Sequence, residues 1–163
     1  MDRLISLIAQ YAVFLSIVIA IIVWLRLPRQ QKWEFAATGL IGGAIALGLL
    51  KLGSALYYDP RPFIAEHVAP LFPHPADDGF PSDHTLLAMF LAVCVFFYSR
   101  RWGIVLVAVA VAIGAARVAA HIHHPIDIIA AVAFAVVAAL VARPLALALI
   151  RWWHQRSAGA NRL

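Results

Sequence analysis

Three short polar islands interrupt an otherwise apolar chain, and their residue types are those that handle phosphate. Phe80-Pro81-Ser82-Asp83-His84-Thr85 sets a hydroxyl and an imidazole beside a proline. Pro60-Arg61-Pro62-Phe63 offers a guanidinium. The third island, residues 117–127, offers another guanidinium at Arg117, then His121, His123, His124 and the carboxylate of Asp127. Arg61 and Arg117 are permanently charged, with planar donor forks that match phosphate oxygens. Ser82 adds a hydroxyl. Asp83 and Thr85 flank a helix start, whose free N–H groups favour an anion. His84 and His123 can each carry a proton or attack phosphorus. Asp127 follows His123 by four residues, with Pro125 between them at a position that suits the first residue of a helix. Its carboxylate would then lie in the first turn and reach back to hold one imidazole nitrogen. A nucleophile, a base and an orienting carboxylate make up the logic of a triad, here with His as the attacking group. The set fits phosphoryl transfer.

The elements that must position these groups are membrane helices. Hydrophobic residues make up 64% of the 163-residue chain and charged residues 13%, against about 25% charged in a soluble domain. The length predicts one membrane-embedded domain over residues 1–163. The net charge of +5 does not point to nucleic acid, because the basic residues flank apolar runs and form no stripe. The one cysteine, Cys94, excludes an internal disulfide or a cysteine metal site. Residues 4–25 are long enough to cross about 30 Å of hydrocarbon, and Arg26, Arg29 and Lys32 follow them where a cleavage site would stand, so a retained helix is expected. Further spans are expected over residues 35–57, 80–98, 103–120 and 126–142. Gly39, Gly42, Gly43 and Gly48 in the second predict close helix packing. Pro144 is expected to kink the last run into an interfacial piece over residues 144–153, or the whole run to tilt. The fold class is therefore all-α, a polytopic bundle of five spans, with six as the alternative.

Five spans divide the basic residues unequally. Arg26, Arg29, Lys32, Arg100, Arg101, Arg143, Arg151, Arg156 and Arg162 fall on one side, and only Arg3, Lys51, Arg61 and Arg117 on the other. The first side is expected to be cytoplasmic. Trp24, Trp33, Trp102, Trp152 and Trp153 gather at the same boundary as an aromatic belt would. All three polar islands then face outward, at the exoplasmic surface, and meet in a single site.

At this point the chain resembles the type-2 phosphatidic acid phosphatase superfamily. Its members carry Lys, six residues, Arg-Pro; then Pro-Ser-any-His; then Ser-Arg, five residues, His, three residues, Asp. The sequence has Arg61-Pro62, Pro81-Ser82-Asp83-His84, and Arg117, His123 and Asp127 at that spacing. The match covers residues 51–127. The surroundings of Arg61 and Ser82 are similar to the bacitracin-resistance type of undecaprenyl-diphosphate phosphatase. Two positions depart from the pattern. Ser54 stands where the family has lysine, with Lys51 one turn earlier, and Ala116 stands where it has serine. The family has six helices. The resemblance implies that His123 is the nucleophile, that Asp127 orients it and that His84 protonates the leaving group. Arg61, Arg117 and Ser82 would bind phosphate, with Lys51 as a further candidate. It implies no metal and no cofactor. It implies a lipid diphosphate as substrate, in a bacterial plasma membrane, with membrane lipids as surroundings and recycling of the cell-wall carrier lipid as the outcome.

The nearest rival uses the same residues on phosphatidic acid or phosphatidylglycerol phosphate. A small transporter would need ionisable residues in span centres, and those are lacking. A non-enzymatic lipid-binding relative would not need His84, His123 and Asp127. His67, His74 and His154 match nothing and read as interfacial polar residues, while His121 and His124 either cap a helix or line the pocket. The acidic residues Asp59, Glu66, Asp77 and Asp78 follow no calcium-loop spacing. The long connection over residues 58–80 carries Phe63, Ile64, Val68, Leu71 and Phe72, which predict a lid dipping into the headgroup layer and guiding a lipid tail.

Overall fold

The computed structural model describes residues 1–160, with side chains to residue 156; Arg162, counted above on the basic side, lies outside the described residues. The helices are α1 (Asp2–Arg26), α2 (Arg29–Leu56), the one-turn α3 (Pro62–Ala65), α4 (Asp83–Phe96), α5 (Arg100–Ala119) and α6 (Pro125–Ala160). No strand occurs among the described residues. Four helices, α1, α2, α5 and α6, are long and apolar enough to cross a membrane. Their outward faces carry exposed Leu, Ile, Val and Phe side chains, among them Phe14, Leu40, Val111 and Val137. Water would not tolerate so much contiguous apolar surface, and lipid does. The protein is a multi-pass membrane protein.

The predicted third span differs from expectation. Helix α4 has 14 residues, about 21 Å at 1.5 Å per residue, too short to match a hydrocarbon core of about 30 Å. It sits at the centre, packed against α5, α6, α1 and α2, with Leu86, Ala88, Met89, Phe90, Ala92, Cys94 and Val95 buried. At its start Ser82 and Thr85 are buried, while Asp83 there and Phe96 at its other end are exposed.

Local chemistry sets the turns. Leu27 is extended because Pro28 follows it, which ends α1 and starts α2 after a two-residue link. Gly42 lets α2 close on its neighbours, since a Cβ there would meet the Phe90 ring at 2.6 Å and Ala142 Cβ at 3.0 Å. The other three glycines singled out in α2 do not act this way. At Gly39, Gly43 and Gly48 a Cβ would meet nothing within 4 Å. Pro144 does not break the last run either: α6 is one helix through it. The missing N–H costs one backbone bond, which packed neighbours make tolerable; Ala142 and Ala146 beside it are fully buried. Residues 144–153 thus continue the preceding span.

The chain order brings the end of α2, the start of α4, the end of α5 and the start of α6 to one end of the bundle. The four Trp-bearing helix ends and most Lys and Arg residues lie at the other. Loop 57–82 folds over the first end. Leu71 N–H donates to Ala120 O at 3.2 Å, and Phe63, Leu71 and Phe72 pack on Ala9, Ala116, Ala120 and Ile122. These apolar loop residues cover the ends of α1 and α5. Of Phe63, Ile64, Val68, Leu71 and Phe72, Ile64 is the exposed one.

Candidate active site

The three polar islands meet at the covered end. Arg61 is 6% exposed, Arg117 2%, His123 1%, and Ser82 and Asp127 are fully buried. Burying two guanidinium groups among apolar helices costs several kcal/mol each unless partners compensate, by order of magnitude. Such residues mark a functional site by default.

His123 is held between an acceptor and a cation. Its Nδ1 lies 3.1 Å from Asp127 Oδ2, and its Nε2 lies 3.4 Å from Arg61 Nη1. An ionised carboxylate only accepts, and a guanidinium only donates. The proton therefore belongs on Nδ1 and the lone pair on Nε2. Burial, helped by the charges of Arg117 and Arg61, lowers the His123 pKa from 6.5 to about 3, so the ring stays neutral. The i, i+4 geometry arises as expected: Pro125 opens α6 and Asp127 lies in its first turn. Between α5 and α6 the chain turns through His121, which adopts a left-handed conformation at φ 57°.

Arg61 ties the loop to this turn. Nε donates to Asp77 Oδ1 at 2.7 Å, Nη2 to Asp78 O at 3.2 Å, and Nη1 to Ile122 O at 3.1 Å. Burial would raise the Asp77 carboxyl, but the Arg61 hydrogen bond and charge hold it below its usual range. Arg117 reaches from α5 to α1, where Nη1 donates to Ala9 O at 3.2 Å. Its Nη2 lies 3.4 Å from His74 Nε2 and 4.0 Å from Asp83 Oδ1. Arg117 Nε is buried with no hydrogen-bond partner among the described residues, a donor available to an anion.

Ser82 precedes α4, and its Oγ donates to Thr85 Oγ1 at 3.1 Å, while its N–H donates to Asp127 O at 3.3 Å. His84 is partly exposed and paired with Asp83, Nδ1 to Oδ1 at 2.9 Å. It stands at the mouth of an apolar furrow of about 580 Å³ between α1 and α2, floored by α4. Phe14, Ile17, Gly39, Gly43 and Leu87 line it, and a second hollow of about 370 Å³ sharing Ile17, Leu87 and Leu91 continues it towards Trp24. The open space beside Gly39 and Gly43 is this furrow.

Lys51 is exposed on α2 and forms no hydrogen bond or ion pair among the described residues. Ser54, at the departed lysine position, donates to Phe80 O at 2.6 Å and so anchors the segment that leads into Ser82. Ala116 is buried against Ala9 and the loop.

Several contributors escaped the sequence reading. His74, taken as interfacial, reaches Arg117; burial and the Arg61 charge lower its pKa. Asp59 lies 2.8 Å from His124 Nδ1, and burial raises its carboxyl above the usual range. Only the adjacency of Asp59 to the Arg61 island hinted at a role. Asp59, His124 and Asp127 bring one ligand-type atom each to within 4.8 Å of one another. Each already bonds to another member or to His123, which makes them a hydrogen-bonded cluster.

The family model described as the PAP2 superfamily matches residues 32–155. The chain is 31% identical to "Undecaprenyl-diphosphatase BcrC" of Bacillus subtilis over 137 residues, 84% of this chain and 70% of that protein. It is 27% identical to "Putative undecaprenyl-diphosphatase YbjG" of Escherichia coli, over 85% of this chain and 70% of that one. It is 25% identical to "Bacitracin transport permease protein BcrC" of Bacillus licheniformis, over 86% and 69%. The crystal structure of Aquifex aeolicus LpxE shares the fold, with TM-score 0.66 and 21% identity over 86% of this chain and 84% of that one. Buried arginines, a carboxylate-held histidine and the helical scaffold agree with the family match: this chain belongs to the PAP2 superfamily.

Proposed function

We propose that this protein is a membrane lipid phosphatase that removes the terminal phosphate of undecaprenyl diphosphate at the outer face of a bacterial plasma membrane. The observation that carries the reading is the state of His123, neutral and held by Asp127, with its Nε2 lone pair facing Arg61. Nε2 attacks the terminal phosphorus and displaces the lipid monophosphate, giving a phosphohistidine. Asp127 stabilises the positive charge that develops on the ring. Water then attacks phosphorus, and Nε2 leaves as the neutral imidazole, releasing inorganic phosphate. Arg61 and Arg117 bear the equatorial charge of both transition states, and Ser82 contributes its hydroxyl. Cations and N–H groups fixed in a water-poor site supply electrostatic stabilisation of the kind that dominates such reactions. His84, beside Asp83 at the furrow mouth, would protonate the departing oxygen where the leaving group is an alkoxide, as in a monophosphate ester.

The names of the Bacillus subtilis and Escherichia coli relatives support the diphosphate substrate. The furrow supports a lipid: it begins at His84, is almost wholly apolar and runs along the bundle. Release of the carrier monophosphate on the outer face would return it to cell-wall synthesis.

Purified protein should release phosphate from undecaprenyl diphosphate faster than from phosphatidic acid or phosphatidylglycerol phosphate under matched detergent. An alkaline detergent quench should trap a base-stable, acid-labile phosphoprotein that His123→Gln lacks. A preference for phosphatidylglycerol phosphate, or trapping in the His123 variant, would overturn the assignment.

A further inference from the structure

Two adjacent histidines each have Nδ1 held by an aspartate. His123 is held by Asp127 at 3.1 Å and His124 by Asp59 at 2.8 Å. The two pairs are joined. The backbone N–H of His124 donates to Asp127 Oδ2 at 2.9 Å, the same oxygen that His123 uses. The other oxygen, Asp127 Oδ1, is buried with no hydrogen-bond partner among the described residues. Asp59 brings a carboxylate oxygen within 4.8 Å of Asp127. Two carboxylates this close and this buried cannot both be ionised without compensation.

From this juxtaposition we infer that Asp59 and His124 are a positioning pair, which holds one proton behind the triad so that Asp127 stays ionised and aimed at His123. The proton rests on His124 or on Asp59. On His124 it forms an ion pair that cancels the Asp59 charge. On Asp59 it leaves that carboxyl neutral and able to donate towards Asp127 Oδ1. In either state Asp127 faces no second naked carboxylate. The remaining charged groups around the pair are Glu66, 3.5 Å from His124 Nε2, Asp78, whose carboxylate accepts from Asp59 N–H, and Arg61 beside His123. Asp59 comes from the link after α2, His124 from the turn before α6, and neither bonds to Arg117 among the described residues. The pair acts only through Asp127.

This role presupposes hydrolysis at His123, so wild-type activity on undecaprenyl diphosphate is the first measurement; its absence would sink the phosphatase reading itself. Given activity, kcat/KM is followed against pH for wild type, His124→Phe, Asp59→Asn and the double variant. His124→Phe leaves Asp59 and Asp127 to share one proton, so the acid limb should move up by about one pH unit or more. Adding Asp59→Asn removes the competing carboxylate and should bring the limb back close to wild type, with activity at neutral pH partly recovered. A merely structural contribution predicts the opposite order, with the double variant at least as impaired as either single one. An unmoved limb in His124→Phe, or a double variant no better than it, would overturn the pair while the phosphatase reading stood. Should His124→Phe fail to fold, His124→Gln removes the imidazole, keeps a donor towards Asp59, and is read by the same two criteria.

Discussion

Arg61 Nη1 stands 3.4 Å from His123 Nε2, on the side of the ring from which phosphorus would be attacked. In the proposed mechanism this cation would contact the transferred phosphoryl group, and its other N–H groups are anchored to Asp77, Asp78 and Ile122. A guanidinium fixed on three sides does not reorganise when charge develops, which is the condition for large electrostatic stabilisation. Arg61→Lys keeps the charge but cannot reproduce that fork. It should lower kcat by about 10²–10³-fold, with far less effect on the amount of folded protein extracted. A loss below tenfold would remove Arg61 from the transition state.

The depressed His123 pKa has a consequence for stability. The unfolded chain protonates this imidazole near 6.5, whereas the folded chain resists to about 3. Between those values the unfolded state binds more protons, so stability falls as pH falls through that window and is unaffected by this group above it. His123→Gln abolishes the difference. Thermal unfolding in detergent should therefore show wild type losing more stability than His123→Gln between pH 6.5 and 4, with the two curves parallel above pH 7. Parallel curves throughout would mean that the folded protein protonates this ring as readily as the unfolded chain does.

Covalent spacing made part of this site legible. His123 and Asp127 are tied by an i, i+4 interval and a proline that fixes the helix start, and no distant residue can alter that relation. Arg61 and Arg117 were legible as a pair because both fall at the same end of the predicted spans. What stayed hidden depends on long-range contacts, those of loop 57–82 among them. Asp59 and His124 lie 65 residues apart, and Arg117 meets Ala9 O across 108; no periodicity encodes such contacts. Of the two readings of the run past Pro144, the unbroken helix is the one found, because packing of its alanine neighbours outweighs local propensity. Gly39, Gly43 and Gly48 misled because a glycine signals space as readily as contact, and of the four singled out Gly42 is the one in contact.

Orientation is testable by labelling. The Lys/Arg asymmetry predicts the site end outside. Ala76, in the exposed part of the loop, lies at that end, and Gln155, exposed near the end of α6, lies at the other. Cys94 is buried and supplies little background. An impermeant thiol reagent added to spheroplasts should modify Ala76→Cys and leave Gln155→Cys unmodified until the membrane is opened. The reverse pattern would place the site in the cytoplasm and exclude an outward-facing lipid diphosphate.

The furrow predicts a dependence on chain length. A Cβ at Gly39 or Gly43 meets no atom within 4 Å, so larger side chains there fill the furrow without displacing the helices. Gly43→Leu, nearer His84 along the groove, should raise KM for undecaprenyl diphosphate by about tenfold, the effect of losing roughly 1.4 kcal/mol of apolar contact. Farnesyl diphosphate, with a far shorter tail, should be less affected by Gly39→Leu than by Gly43→Leu. Equal KM values for wild type and both variants on the long substrate would place the tail elsewhere on the bundle.

The last prediction separates the two histidines of the proposed mechanism. Attack by His123 on a diphosphate expels a lipid monophosphate, whose second ionisation has a pKa of about 6. That group leaves without needing a proton. Attack on a monophosphate ester expels an alkoxide, which is far more basic and must be protonated in the transition state. His84 is partly exposed, lies at the furrow mouth and is bonded to Asp83, where the departing oxygen of a tail-bound substrate would sit. If it delivers that proton, His84→Ala should slow phosphatidic acid hydrolysis much more than undecaprenyl diphosphate hydrolysis. The preference for the diphosphate should widen by at least about tenfold. His123→Ala should abolish both alike, since the nucleophile is common to the two reactions. Both substrates need the same detergent and surface concentration, because dilution in the micelle would otherwise alter the ratio. An equal loss on the two substrates would show that His84 binds phosphate and leaves protonation of the departing oxygen to water.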